Sequence, residues 1–82
     1  MMDGATLDRA AAANYVIRVQ GALDPEWSER LGGMRITTFG RGRHASTVLI
    51  GTLADQAALL GALNTLYELG LPVISVQHVP LP

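Results

Sequence analysis

The clearest helical pattern in this chain covers residues 52–70, which read TLADQAALLGALNTLYELG. At about 100° per residue, its large apolar side chains share one side of a helix and its small side chains share the opposite side. We predict that the large side packs on the rest of the domain, and that the small, nearly uncharged side contacts another surface. The large set is Leu59, Leu60, Leu63, Leu66 and Tyr67, with Gln56 among them, and the small set is Ala54, Ala57, Ala58, Gly61, Ala62 and Thr65.

Both ends of this helix carry local signals. Thr52 with Asp55 is typical of a capping box that has Asp in place of Glu, so Leu53 is expected to open the helix. At the other end, Gly70 suits a left-handed cap, and Leu71 can fold back on the last turn. We therefore predict one long helix with defined boundaries.

Alternating apolar and polar residues predict four strands, and a second, shorter helix lies between the first two. Asp24 can cap that helix before a proline at its first position, and Trp27 and Leu31 lie four residues apart on one side as its anchor. Glycines at 40 and 42 predict a hairpin loop, because they tolerate positive φ between two strand patterns. The predicted strands are residues 14–20, 34–39, 45–50 and 73–79, and residues 1–13 are predicted to be a flexible leader.

The order β, short α, β, β, long α, β is that of the ferredoxin-like split βαβ fold. Right-handed crossovers would place both helices on one face of a four-stranded antiparallel sheet, in the order 4-1-3-2. We therefore predict a single α+β domain over residues 14–82. The other sheet face would be open and is a second candidate interface, carrying Val16, Arg18, Gln20, Arg35 and Thr37.

Composition indicates that part of the apolar surface is an interface. A single domain of 82 residues without cysteine has a marginal core and no disulfides, which leaves oligomerisation as a source of stability. Hydrophobic residues make up 49% of the chain and charged residues 16%, which is low in charge. The net charge of -1 disfavours binding to nucleic acid. No apolar run is long enough to cross a bilayer, so we expect no membrane association and a cytoplasmic location.

Candidate binding residues fall into two groups. The interface candidates are Ala54, Ala58, Gly61, Ala62 and Thr65 on the small side of the long helix, together with Arg18 in mid-strand. The candidates for contacting a ligand are Asp55 and Gln56 at the helix start, and Arg41, Arg43 and His44, which could hold an anionic group. For both ligand sets the structural alternative, helix capping or a solvated hairpin tip, stays open and is the favoured interpretation.

The sequence assigns no catalytic or metal-binding residue and no cofactor. His44 and His78 have no third ligand at a suitable spacing, and the serines lack the surroundings of a nucleophile elbow. The patterns Tyr-x-Ile-Arg-Val-x-Gly at 15–21 and Asp-Gln-Ala-Ala-Leu-x-Gly at 55–61 resemble a family of small, uncharacterised bacterial proteins. The resemblance extends from about residue 15 to residue 76 and implies no activity, cofactor or catalytic residue.

These observations favour a non-catalytic module that binds a protein or a small ligand as a homo-oligomer, most simply a dimer. One alternative is a small cofactor-free enzyme on a dimeric ferredoxin-like scaffold, with His44, His78 or Tyr67 as acid or base. Another is an adaptor subunit of a larger complex.

Overall fold

The computed structural model of the chain describes residues 12–79, which form an α+β domain. Residues 1–11, most of the predicted leader, lie outside the described residues, and Ala13 already belongs to the first strand. A 3-10 helix over Pro25–Leu31 follows the first strand, and a single 3-10 turn over Gly42–His44 follows the second. The remaining elements are β1 (Ala13–Gln20), β2 (Arg35–Phe39), β3 (Ser46–Leu53), α1 (Gln56–Glu68) and β4 (Val73–Val79).

The four strands form one antiparallel sheet in the order β2-β3-β1-β4, which is 4-1-3-2 when read from the other edge. The predicted α+β class is therefore confirmed. The order of elements along the chain differs from the predicted one, because the first helix is 3-10 and a 3-10 turn lies inside the hairpin loop. A 3-10 helix rises about 2.0 Å per residue against about 1.5 Å for an α-helix, which suits a short connection that crosses from β1 to the far edge of the sheet.

The core lies between one face of the sheet, α1 and the 3-10 helix. Ile17 of β1 lies opposite Leu49 of β3, and both are fully buried because their side chains point to the face that the helices cover. The other fully buried large side chains include Val19, Leu31, Met34, Thr47, Leu53 and Leu66. The opposite sheet face carries Arg18, Arg35 and Thr37, which are exposed.

The long helix begins later than predicted. β3 continues to Leu53, which pairs with Ala13, so the backbone there belongs to the sheet. Thr52 is a strand residue whose hydroxyl donates to the side-chain oxygen of Asn14, and the predicted capping box is wrong. Asp55 is itself the N-cap, with its carboxylate accepting from the Ala58 N–H at 2.8 Å.

The predicted end of α1 is confirmed. Gly70 has φ +76°, and its N–H donates to the Tyr67 carbonyl at 3.0 Å. The Leu71 N–H donates to the Leu66 carbonyl at 3.1 Å, which completes a Schellman motif. Leu71 also packs against the core, so the chain turns directly from the end of α1 into β4.

The predicted orientation of α1 is wrong by a rotation of roughly 70° about its axis. Ala62, expected on the outer side, is 3% exposed, whereas Leu60 and Tyr67, expected to face the core, are 66% and 79% exposed. The physical reason is that α1 contacts the 3-10 helix as well as the sheet. A small side chain at Ala62 allows close approach between them, and the flank that carries Leu60 and Tyr67 is left outside.

Candidate functional site

The predicted ligand residues do not form one site. Arg41, Arg43 and His44 are exposed in the loop before β3, whereas Asp55 and Gln56 are half-buried after β3. The full length of β3 lies between the two sets, and at the usual rise of a strand this separates them by roughly 25 Å. The Asp55 carboxylate caps the N-terminus of α1, so this side chain has a structural role.

The predicted interface residues are also divided. Ala62 is buried in the chain's own core and offers no surface to a partner. Ala58 and Thr65 are half-buried, and the Thr65 hydroxyl donates to the Gly61 carbonyl one turn earlier at 3.0 Å. Ala54 is exposed between β3 and α1 and Gly61 is exposed on α1, whereas Arg18 is exposed on the open face of the sheet, next to Val48 and Ser75.

A different surface exposes most of the large apolar side chains. Leu60 and Tyr67 lie seven residues apart along one flank of α1, and Ile74 of β4 is 56% exposed. Together with exposed neighbours on β4 they form what we call the α1–β4 surface. Its members are Leu60, Tyr67, Leu69, Val73, Ile74 and Val76.

An open pocket lies at the turn between the end of α1 and the start of β4. It has a volume of about 330 Å³ and is lined by Tyr67, Gly70, Leu71 and Pro72, mainly with apolar atoms. These residues end α1 and precede β4, so the side chain of Tyr67 lies beside the start of the strand. At this end of the helix, the pocket lies between Tyr67 and Pro72, the residue before β4.

β4 is an edge strand whose outer backbone groups have no partner strand among residues 12–79. Its residues, Val-Ile-Ser-Val-Gln-His-Val, include no Asp, Glu, Lys or Arg, and all except Val79 are exposed. The pairing with β1 is irregular between Arg18 and Val19, which leaves Ile74 as an extra residue and the segment from Ser75 to Val79 in regular register. A long uncharged edge with exposed apolar side chains is a template for pairing with another strand.

The opposite edge of the sheet has the usual protection. β2 is shorter, carries Arg35, and leads into a loop with Arg41 and Arg43. Charges and short length discourage another chain from adding to such an edge. The two edges therefore differ in chemistry, and β4 is the one suited to association.

The exposed β4 edge could have been predicted from the sequence. The predicted sheet order already placed the fourth strand at an edge, and the absence of charge from residues 73–79 was visible in the chain. The helical part of the α1–β4 surface could not be predicted from the sequence, because its exposure depends on how α1 is rotated against the 3-10 helix. Only the packing of these two segments distinguishes Leu60 from Leu59 and Leu63, which pack against the core.

A second pocket, of about 310 Å³, lies at the start of the 3-10 helix and is lined by Asp24, Glu26, Trp27 and Arg30. The Arg30 guanidinium stacks 5.2 Å from the centre of the Trp27 ring, a cation–π contact that occupies both side chains. The Asp24 carboxylate accepts from the Glu26 N–H at 2.9 Å and so caps the helix. Asp24, Trp27 and Arg30 therefore each have a structural role within the domain.

The two histidines lie apart. His44 is exposed in the hairpin loop, and His78 is exposed on β4, where its ring meets Tyr15 edge-on at 5.5 Å. Within residues 12–79, no three His, Asp or Glu side chains are grouped so as to hold a metal ion. In the same part of the chain, no helix combines the length and apolarity needed to cross a membrane.

The fold and this surface define a small α+β domain with a single sheet, one edge of which is apolar and unpaired within residues 12–79. Residues 14–77 match the family model described as a domain of unknown function, DUF8691, and the chain belongs to that family. The comparisons with curated proteins and with solved structures gave no match.

Proposed function

We propose that this protein is a non-catalytic interaction module that acts as a homodimer through its α1–β4 surface. One observation carries the proposal: exposed large apolar side chains on α1 lie beside an exposed, uncharged edge strand. Water solvates such side chains poorly, so covering them on association is favourable.

The size of the surface is close to that needed for a dimer. The exposed fractions of its six side chains correspond to roughly 500 to 600 Å² per copy, at the upper end of the apolar patches that monomers carry. A stable interface buries about 800 Å² on each partner. The apolar side chains, with the backbone of β4 and a polar rim, approach that value.

The small size of the domain points the same way. A chain of 82 residues without cysteine lacks the disulfides that commonly stabilise small domains. Burial of Leu60 and Tyr67 between two copies would add apolar contacts to the core. Dimerisation would then contribute to folding stability as well as to function.

Two finer expectations belong to this proposal. We regard the fold as a ferredoxin-like split βαβ in which the first helix has been shortened to a 3-10 helix, a view supported by the sheet order β2-β3-β1-β4. We also place the protein in the cytoplasm of a bacterium, in keeping with the resemblance of its sequence motifs.

Sedimentation equilibrium at tens of micromolar tests the proposal. We expect the wild-type chain to have the mass of a dimer, and Leu60→Glu/Tyr67→Glu to have the mass of a monomer, because charges on this flank cannot be buried without partners. Phe39→Glu, on the open sheet face, and Gly61→Glu, on the small side of α1, are matched controls that should remain dimeric. Circular dichroism checks that each variant is folded.

Two outcomes would contradict the proposal. A wild-type chain that is monomeric at these concentrations would leave the adaptor alternative, in which the partner is a different protein. Loss of the dimer in Phe39→Glu or Gly61→Glu, with the double variant still dimeric, would move the interface to another surface.

The enzyme alternative has less support. It depended on an imidazole lining a cavity between the sheet and the helices. His44 and His78 are instead exposed, and neither lines the pocket beside Tyr67 or the pocket beside Trp27.

A further inference from the structure

We infer that β4 pairs antiparallel with β4 of a second copy, across a two-fold axis at Val76 or Gln77, near the middle of the segment that pairs regularly with β1. The sheets of the two copies would then be continuous. The pairing rests on the homodimer proposed above and specifies how its two copies are arranged.

The charge pattern of the two sheet edges favours a second β4 as the partner of β4. In a two-fold arrangement each residue near the axis lies close to the same residue of the other copy, so any charge there meets a like charge. β4 has no charged residue from Val73 to Val79, and its self-pairing meets no such repulsion. Joining two β2 edges would instead collect Arg35, Arg41 and Arg43 from both copies along one line.

The irregularity in β4 locates the axis. Ile74 is the extra residue in the register with β1, so regular pairing is available from Ser75 onward. Gln77 lies in the middle of that segment and shares the open sheet face with Val16, the residue opposite it in β1. An axis at Gln77 would place Val76 opposite His78 of the other copy, both on the face that carries α1.

The same arrangement also covers the exposed flank of α1. A two-fold axis perpendicular to a continuous sheet keeps both α1 helices on the same face. The flanks that carry Leu60 and Tyr67 then approach each other above the joined strands. Because α1 has Glu68 as its only charged residue, these flanks meet without a concentration of like charge.

Single cysteines test the pairing, because the chain has none of its own. We would oxidise Gln77→Cys and Val76→Cys with copper–phenanthroline at micromolar protein and measure the covalent dimer on non-reducing gels. Thr37→Cys is the matched control, since it is also exposed on an edge strand and shares the open face with Gln77. A thiol at the axis meets its copy at about millimolar effective concentration, so we expect cross-linking at least roughly tenfold faster than in the control.

Val76→Cys and Gln77→Cys place a thiol at each of the two proposed axis positions, and cross-linking by either supports the pairing. If the wild-type chain sediments as a dimer but neither variant cross-links faster than Thr37→Cys, the pairing is wrong and the homodimer stands. If the wild-type chain is a monomer and no variant cross-links faster than the control, both proposals fail.

Discussion

Glycines in the loop between β2 and β3 hold backbone conformations that other residues avoid. Gly40 has φ +80° and Gly42 has φ +57°. A Cβ atom at Gly40 would lie 2.8 Å from the backbone oxygen of His44, whereas a Cβ atom at Gly42 would meet open space. The two positions therefore separate the cost of a left-handed backbone from that of a steric clash.

We predict that Gly40→Ala lowers the free energy of unfolding by more than Gly42→Ala does. Gly42→Ala should cost about 1 to 2 kcal/mol, the penalty for a left-handed conformation. Gly40→Ala adds a clash with backbone that cannot rotate away. Urea denaturation at fixed protein concentration measures both values, and equal losses would show that the loop relaxes around Gly40.

A third glycine supplies the control. Gly61 lies within α1, and a Cβ atom there would have no neighbour within 4 Å. Gly61→Ala should raise the free energy of unfolding by roughly 0.5 to 1 kcal/mol, because alanine loses less backbone entropy in a helix. A loss of stability in this variant would indicate a contact at the helix surface.

Among the elements, α1 shows how packing overrides an amphipathic pattern. Its leucines favour an orientation with Leu60 inward, yet Ala62 faces the core and Leu60 faces outward. The helix lies against two partners, the sheet and the 3-10 helix, and Ala62 belongs to the core that they share. The amphipathic pattern of a helix predicts one buried side, and it does not account for packing against two elements of different shape.

We predict opposite effects of glutamate on neighbouring positions of α1. Ala62→Glu should unfold the domain, because it places a charge and extra volume in the core, at a cost of more than about 3 kcal/mol. Leu60→Glu should keep a dispersed amide proton NMR spectrum as a folded monomer, since within one copy its side chain lies outside the core. A folded Ala62→Glu with an unfolded Leu60→Glu would restore the orientation expected from the leucine pattern.

For the whole molecule, stability and association are linked if the chain is a homodimer. Unfolding then also separates the copies, so mass action favours the folded dimer as concentration rises. The magnitude follows from RT ln 10, about 1.4 kcal/mol for each tenfold change.

We predict that the wild-type melting temperature rises by roughly 3 to 5 °C for a tenfold increase in protein concentration. Leu60→Glu/Tyr67→Glu should melt at a temperature that does not depend on concentration, because it unfolds as a monomer. Differential scanning calorimetry over two decades of concentration measures both. A concentration-independent wild-type transition would contradict the dimer.

Much of the secondary structure could be predicted from local patterns. β4 lies at residues 73–79 as expected, and the end of α1 at Gly70 follows from a motif that involves only nearby residues. The start of α1 could not be predicted in the same way. Because β3 continues to pair with β1 through Thr52 and Leu53, those residues belong to the strand. The helix begins only after its N-cap at Asp55.

The amino-acid sequence alone established an α+β domain, the approximate elements and an uncharged last strand, because alternation, caps and charge are properties of neighbouring residues. Packing decided which flank of α1 is exposed. It also brought Tyr67 beside the start of β4. These contacts are between segments that are distant along the chain. Their free energies depend on how the segments pack together, which local sequence patterns do not specify.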